Sequence, residues 1–108
     1  MDPSALRAKL ESEEGLIVAG LLSGTSADGI DVGLARFRRK GSPVETLVPE
    51  LLAFQTVPFD PSLLGRLRPA LDGAALSMGE VGRLHRDLGL AFGSAAELVA
   101  RKEGLRLD

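Results

Sequence analysis

A short run of small, hydroxyl-bearing and glycine residues, 23–29, lies between two apolar stretches of the chain. We expect Gly24 and Gly29 to adopt positive φ and to let the backbone approach a ligand closely, because glycine has no Cβ atom. Thr25 and Ser26 add hydroxyl donors beside backbone amides, a combination that suits phosphate oxygens. The segment therefore has the composition of a phosphate-binding turn.

Two carboxylates, Asp28 and Asp31, stand three residues apart in the same region. Carboxylates beside a phosphate are useful if a cation lies between them, and Mg²⁺, which keeps several of its waters, is the usual one. Asp-Gly between apolar runs is also a strong hairpin signal, and Ser, Thr and Asp are common turn residues. The residue chemistry alone leaves two interpretations open, a plain hairpin turn and a phosphate site with Mg²⁺. The spacing matches neither a Walker A loop nor the dinucleotide fingerprint.

Hydrophobic periodicity predicts the elements that would hold this turn. A short helix is expected at residues 2–14, with Asp2 as its cap and Pro3 at its first position. Short apolar runs typical of strands occupy residues 16–22, 30–38 and 47–59. Short turns between these runs favour an antiparallel three-stranded meander. Spacings of three and four predict two helices, at residues 61–71 and 77–102.

The second predicted helix has clear ends and a clear apolar stripe. Ser77 and Glu80 have capping-box spacing, and Gly104 is a natural stop. The stripe consists of Val81, Leu84, Leu88, Phe92, Ala95 and Val99. We expect Leu84, Leu88 and Phe92 to be buried, and Arg83, Arg86 and Asp87 to face water.

A further strand is expected to begin at residues 105–108. Strands followed by helices that cover one face of the sheet make an α/β unit, and 108 residues suffice for one domain.

Composition excludes several classes of function. The chain has no cysteine, which removes disulfides, thiolate catalysis and Cys-ligated zinc and agrees with a reducing cytoplasm. The formal net charge is −2, so the excess of Lys and Arg that nucleic-acid binding needs is missing. The basic cluster Arg36, Arg38, Arg39 and Lys40 is interpreted as a solvated hairpin end. The apolar run Leu16–Leu22 is too short to span a bilayer, and no signal peptide is indicated. His85, the single histidine, is expected to be a surface or boundary residue of its helix.

The string LLSGTSADGIDVGLARF resembles the opening motif of the anhydro-N-acetylmuramic acid kinase family, which has the pattern G-x-M-S-G-T-S-x-D-G-x-D. The matched positions are Ser23, Gly24, Thr25, Ser26, Asp28, Gly29 and Asp31. Leu22 stands where Met is usual and Ala27 at a variable position, and neither change removes a polar group. The later segment LSMGEVGRLHRDLGLAFGSAAELV is similar to a helix of the same family, so the resemblance runs along most of the chain.

The resemblance implies a function and a place for each motif residue. The family has the actin-like, hexokinase-like ATPase fold, in which ATP lies between two lobes. It converts 1,6-anhydro-N-acetylmuramic acid to N-acetylmuramic acid 6-phosphate in cell-wall recycling. By this resemblance, ATP and Mg²⁺ are the cofactors, and Asp28 and Asp31 are the candidates to meet the metal. The implied nucleotide-binding residues are Gly24, Thr25, Ser26, Ala27, Asp28, Gly29, Ile30 and Asp31.

The same resemblance places the catalytic machinery elsewhere. The family's His-Gly-Gln-Thr segment and its catalytic Asp come after the region that matches this chain, so no catalytic residue is expected among residues 1–108. The chain is interpreted as part of an N-terminal kinase lobe, with residues 1–14 as an extension, in a cytoplasmic protein that binds a sugar and ATP but neither nucleic acid nor membrane. Oligomeric state is left open. Two alternatives are a non-catalytic nucleotide- or partner-binding module and another kinase of the same superfamily.

Overall fold

A computed structural model describes residues 2–24, 28–40 and 46–108. Thr25, Ser26 and Ala27 therefore lie outside the described residues. The elements in chain order are α1 Pro3–Glu11, β1 Leu16–Leu22, β2 Ile30–Lys40, β3 Thr46–Val57, α2 Pro61–Leu71 and α3 Met78–Lys102. The described chain is thus an α/β unit, with the three strands and the helices in the order that the periodicity predicts.

The three strands form one antiparallel sheet in the order β1-β2-β3. Between β2 and β3 the register shifts at Leu34 and Ala35, where a β-bulge leaves Leu52 as the extra residue on β3. The third strand ends at Val57, two residues before the predicted end at 59. Pro58 has no N–H for a ladder hydrogen bond, and Phe59 turns into the core.

One face of the sheet carries the core. Ile30, Val32 and Leu34 alternate along β2 and are fully or almost fully buried. They pack in one cluster with Leu67 of α2 and Val99 of α3. The residues between them, including the candidate Asp31, lie on the opposite face. The helices therefore cover one face of the sheet, as the pattern predicts.

The first helix is shorter than predicted and ends at Glu11. The Ser12 hydroxyl donates to the Lys9 carbonyl at 2.7 Å and accepts from the Gly15 N–H at 3.1 Å, which competes with another helical turn. Gly15 has φ 70°, and a Cβ there would lie 2.6 Å from the Phe37 carbonyl oxygen. The chain can reverse this close to β2 because residue 15 is glycine.

The long helix α3 begins with the predicted capping box. Glu80 donates its N–H to the Ser77 hydroxyl at 3.1 Å, and the Ser77 N–H donates to the Glu80 carboxylate at 3.4 Å. The helix ends at Lys102, and Gly104 has φ 65°. Both predicted ends of this helix are therefore confirmed.

The predicted burial along α3 is wrong in its first half. Leu84, Leu88 and Phe92 are half-buried, and the fully buried residues of the helix come later: Ala95, Ala96, Val99 and Ala100. The large side chains of the first half line open cavities between α3 and α2, whereas small residues allow the second half to lie close on the sheet.

Asp87 also departs from the prediction, because it does not simply face water. The Arg66 guanidinium of α2 donates to its carboxylate at 2.8 Å, and Arg86 donates at 3.1 Å. These hydrogen bonds hold the pKa of Asp87 below its usual range. Arg83 and Arg86 are exposed as expected, while Asp87 joins α2 to α3.

The strand expected at residues 105–108 is not formed, although the segment lies beside β1. The Asp108 N–H donates to the Ile17 carbonyl at 3.1 Å, but the Ile17 N–H donates to the Asp108 carboxylate at 3.0 Å. A side chain thus takes the place of the backbone acceptor that a β-ladder requires. Lys9 pairs with the same carboxylate at 3.4 Å, and Leu105 and Leu107 pack against the core. Among the described helices, none is long and apolar enough to cross a membrane.

Candidate functional site

The candidate site is the connection between β1 and β2. Leu22, the last residue of β1, lies opposite Asp31, the second residue of β2. Residues 23–29 therefore close a hairpin at one end of the sheet, as the sequence predicts. Ser23 is half-buried and Gly24 is exposed at its start.

Gly29 has a different role from the one expected. Its φ lies outside the left-handed region, so the turn does not use it for a special conformation. It is buried, and a Cβ atom at this position would lie 2.9 Å from the Val57 carbonyl oxygen and 3.0 Å from Cγ2 of Thr56. The absence of a side chain lets β3 pass directly beside the motif. The glycine is therefore required by the neighbouring strand, whatever ligand the turn binds.

Ile30 is in the core, with 2% of its surface exposed. Its side chain is part of the cluster with Val32 and Leu34 and is unavailable to a ligand. A contact between Ile30 and a nucleotide would have to use the backbone. The main contribution of Ile30 is to fix the end of the hairpin to the core.

The two candidate carboxylates differ in their surroundings. Asp28 is exposed in the turn. Asp31 is half-buried on the second residue of β2 and accepts a hydrogen bond of 2.6 Å from the Thr56 hydroxyl to its Oδ1 atom. Thr56 lies directly opposite Asp31 on β3. Thr56 carries no signal in the sequence, because its pairing with Asp31 depends on the register between two strands.

The donor set fits a cation that keeps most of its own ligands. Within residues 2–24, 28–40 and 46–108, no three His, Cys, Asp or Glu side chains come together to form a metal site. Mg²⁺ is commonly bound by one or two carboxylates, with waters and substrate phosphates completing the octahedron. Asp28 and Asp31 therefore suit Mg²⁺ that arrives with a phosphate ligand better than a permanently bound metal.

An apolar cavity of about 210 Å³ lies beside the start of the turn. Ser23 and Gly24 form one edge of this cavity, and its wall is made of Phe59, Leu67, Leu71, Leu88 and Phe92. The start of the turn thus shares a cavity with Leu88 and Phe92, two half-buried residues that were expected to form the core of α3.

The other polar candidates lie away from this hairpin connection. Two basic residues of β2 pair with acidic side chains, Arg36 with Glu50 at 3.5 Å and Arg39 with Glu11 at 3.4 Å. His85 is exposed on α3, which agrees with the expected surface position. Arg36, Arg38 and Arg39 are half-buried, so the prediction of a solvated hairpin end is wrong for these three residues. Residues 41–45, at the tip of that hairpin, lie outside the described residues.

Comparison with known proteins identifies the family that the chain resembles. A protein named anhydro-N-acetylmuramic acid kinase from Synechococcus elongatus is 40% identical over 87 residues, which are 81% of this chain and 22% of that protein. Proteins of the same name from Bacillus cereus and Bacillus anthracis are 38% identical over 93 residues, which are 86% of this chain and 24% of theirs. The chain is a partial-length relative of the anhydro-N-acetylmuramic acid kinases.

This relationship confirms the family resemblance that rested on the motif from Ser23 to Asp31. No family model matches the chain. The chain spans about a quarter of the length of the anhydro-N-acetylmuramic acid kinases that it matches. The names of these relatives indicate a kinase.

Proposed function

We propose that this chain is part of the N-terminal lobe of an ATP-dependent sugar kinase. The proposed reaction opens the anhydro ring of 1,6-anhydro-N-acetylmuramic acid with water and transfers the γ-phosphoryl group of ATP to O6. The product is N-acetylmuramic acid 6-phosphate, an intermediate of cell-wall recycling in the cytoplasm. The observation that carries the proposal is 38–40% identity to kinases of this name over more than four fifths of the chain.

The proposed role of residues 24–31 is to hold the phosphates of ATP. Backbone amides of the turn and the hydroxyls of Thr25 and Ser26 would donate to phosphate oxygens, which suits the hydrogen-bonding chemistry of these groups. Asp28 and Asp31 would face Mg²⁺ directly or through water. Bound Mg²⁺ neutralises charge on the transferred phosphoryl group. The paired strands β1 and β2 support this role, because they form a regular scaffold on either side of the segment, and its described ends Gly24 and Asp28 are exposed.

The remaining parts of the proposed active site lie outside this chain. Phosphoryl transfer depends mainly on positioning and charge neutralisation, and an actin-like fold does this between two lobes. We propose that residues 1–108 supply one phosphate-contacting element of such a fold and no catalytic base. The purified 108-residue chain is then expected to show no sugar phosphorylation, whereas the full-length protein that carries it should be active. Turnover by residues 1–108 alone would contradict this division of roles.

A second candidate function is a non-catalytic module that binds a nucleotide or a protein partner. This alternative rests on the length of the match, since the chain corresponds to only about a quarter of each kinase. Binding of ATP without phosphorylation by the full-length protein would favour this alternative. Transfer of phosphate to 1,6-anhydro-N-acetylmuramic acid would favour the kinase.

Two substitutions in the full-length protein test the role of the turn. Thr25→Ala and Asp28→Asn should lower kcat/KM for ATP by about ten- to a hundred-fold, because charge-assisted hydrogen bonds contribute about 1.5–3 kcal/mol. Their melting temperatures should stay close to that of the wild type. Ser4→Ala and Glu13→Gln, which change exposed residues of similar chemistry near the N-terminus, are the matched controls. Normal kinetics with a lowered melting temperature would make the segment an ordinary turn.

A further inference from the structure

One side chain of β3 touches two residues of the phosphate-binding motif. The hydroxyl of Thr56 donates to Oδ1 of Asp31 at 2.6 Å. Its methyl group lies beside Gly29, where a Cβ atom would come within 3.0 Å of Cγ2. The two branches of this threonine therefore hold the last part of the motif from one side.

The hydrogen bond leaves the Asp31 carboxylate with a defined direction. A length of 2.6 Å is typical of a hydroxyl that donates to an ionised carboxylate. The bond uses Oδ1, so Oδ2 remains available for a cation or for one of its waters. Thr56 is β-branched, which restricts its χ1 and so limits the positions that its hydroxyl oxygen can take. Carboxylates that bind metals are commonly oriented by such outer hydrogen bonds.

Within the part of the chain that the structure describes, no hydrogen bond to the Asp28 carboxylate matches the one between Thr56 and Asp31. Asp28 is exposed in the turn, whereas Asp31 belongs to a paired strand and lies next to the buried Ile30. A carboxylate held by a strand and a hydrogen bond loses less conformational freedom when it binds a cation than one in an exposed turn. Asp28 and Asp31 are equivalent candidates in the motif, and the structure distinguishes them by their environments.

We infer that Thr56 is a positioning residue that orients the Asp31 carboxylate toward the Mg²⁺ of bound MgATP. The inference rests on the proposed kinase function and adds to it a residue outside the motif. Thr56 contacts neither phosphate nor sugar in this scheme and acts through Asp31. Its hydroxyl serves Asp31, while its methyl group packs against Gly29.

Two conservative substitutions in the full-length protein separate these branches. Thr56→Val keeps the shape and the methyl group but removes the hydroxyl. Thr56→Ser keeps the hydroxyl and removes the methyl group. Initial rates of phosphorylation are measured against Mg²⁺ concentration at saturating ATP, with melting temperatures recorded for each variant.

Thr56→Val should raise the Mg²⁺ concentration at half-maximal rate by about 10- to 100-fold, the usual effect of losing a hydrogen bond to a metal ligand. The rate at saturating Mg²⁺ should stay near that of the wild type. Thr56→Ser should restore the Mg²⁺ dependence of the wild type even if its melting temperature falls. An unchanged Mg²⁺ dependence in Thr56→Val, or an equal shift in both variants, would overturn the inference. If Thr56→Val does not fold, Thr56→Ala replaces it in the same comparison.

A measurement without turnover distinguishes failure of this inference from failure of the proposed function. Mn²⁺ binding to the full-length protein in the presence of ATP is followed by electron paramagnetic resonance. Weaker binding in Thr56→Val than in the wild type and Thr56→Ser supports the positioning role, even if the wild type phosphorylates no sugar. Equal Mn²⁺ affinity in all three proteins overturns it, even if the kinase activity is confirmed.

Discussion

Gly29 and Val57 approach so closely that a Cβ atom at residue 29 would lie 2.9 Å from the Val57 carbonyl oxygen. The backbone of the motif and the end of β3 are thus in direct contact, with no side chain between them. A real Cβ atom could be accommodated only by moving one of the two backbones, and the motif is the part that the proposed function needs to hold still.

Gly29→Ala is therefore expected to destabilise the protein. The added methyl group must displace a strand backbone, and overpacking of this kind costs about 1–3 kcal/mol. Gly20→Ala is the matched control, because a Cβ at Gly20 meets no atom within 4 Å. That change should be neutral or stabilising by up to about 1 kcal/mol, through the lower entropy of the unfolded chain. Equal free energies of unfolding for the two variants in urea would contradict the packing described here.

Truncation of a core residue on β2 should cost more stability than truncation of a half-buried residue in the first half of α3. Leu34 is completely buried on β2, and Leu34→Ala should cost about 2–5 kcal/mol. Phe92 is half-buried beside the cavity, so Phe92→Ala should cost less than the roughly 3–5 kcal/mol of a fully buried phenylalanine. Chemical denaturation of both variants measures the difference. A larger loss for Phe92→Ala than for Leu34→Ala would show that the first half of α3 is core after all.

The link between α2 and α3 through Asp87 should depend on pH. Hydrogen bonds from Arg66 and Arg86 lower the pKa of Asp87 in the folded protein relative to its ordinary value of 3.8. Its contribution to stability is therefore fully present above 3.8 and is lost as the pH falls through the lower pKa of the folded state. Asp87→Asn should be less stable than the wild type at neutral pH, and the gap should close in acid.

Melting temperatures of wild type, Asp87→Asn and Glu103→Gln across this pH range check that expectation. Glu103 is an exposed carboxylate at the end of α3 and serves as the control for a change of charge. A gap between wild type and Asp87→Asn that does not change with pH would mean that the carboxylate bonds contribute nothing.

The capping box of α3 offers a test of a local interaction. Ser77→Ala removes the acceptor for the Glu80 N–H and should cost about 1 kcal/mol. Ser94→Ala, at an exposed position inside the same helix, should change stability by no more than about 0.5 kcal/mol. Thermal unfolding of the two variants gives the comparison. A Ser77→Ala protein as stable as Ser94→Ala would show that the cap adds nothing to the fold.

Local patterns were sufficient for most of the secondary structure. Strand β1 and helix α2 have the predicted bounds, and α3 differs only in that Ser77 is its cap. These elements are governed by alternation, three-and-four spacing and capping within a few residues, all of which the sequence displays directly. The early end of α1 has a local cause in the hydrogen bonds of Ser12, but other errors arise where distant parts of the chain meet. Burial along α3, for example, depends on where α2 and the sheet meet it.

The sequence by itself determined the order of elements, the hairpin that carries residues 23–29, and a motif specific enough to identify the family. The tertiary structure decided how the motif is supported. Counted from the tip of the second hairpin, the register that pairs Lys40 with Thr46 would place Gln55 opposite Asp31. The bulge at Leu52 shifts the pairing by one residue and brings Thr56 there instead. A one-residue shift exchanges the two faces of a strand, so the partner of Asp31 was fixed only when β2 and β3 paired.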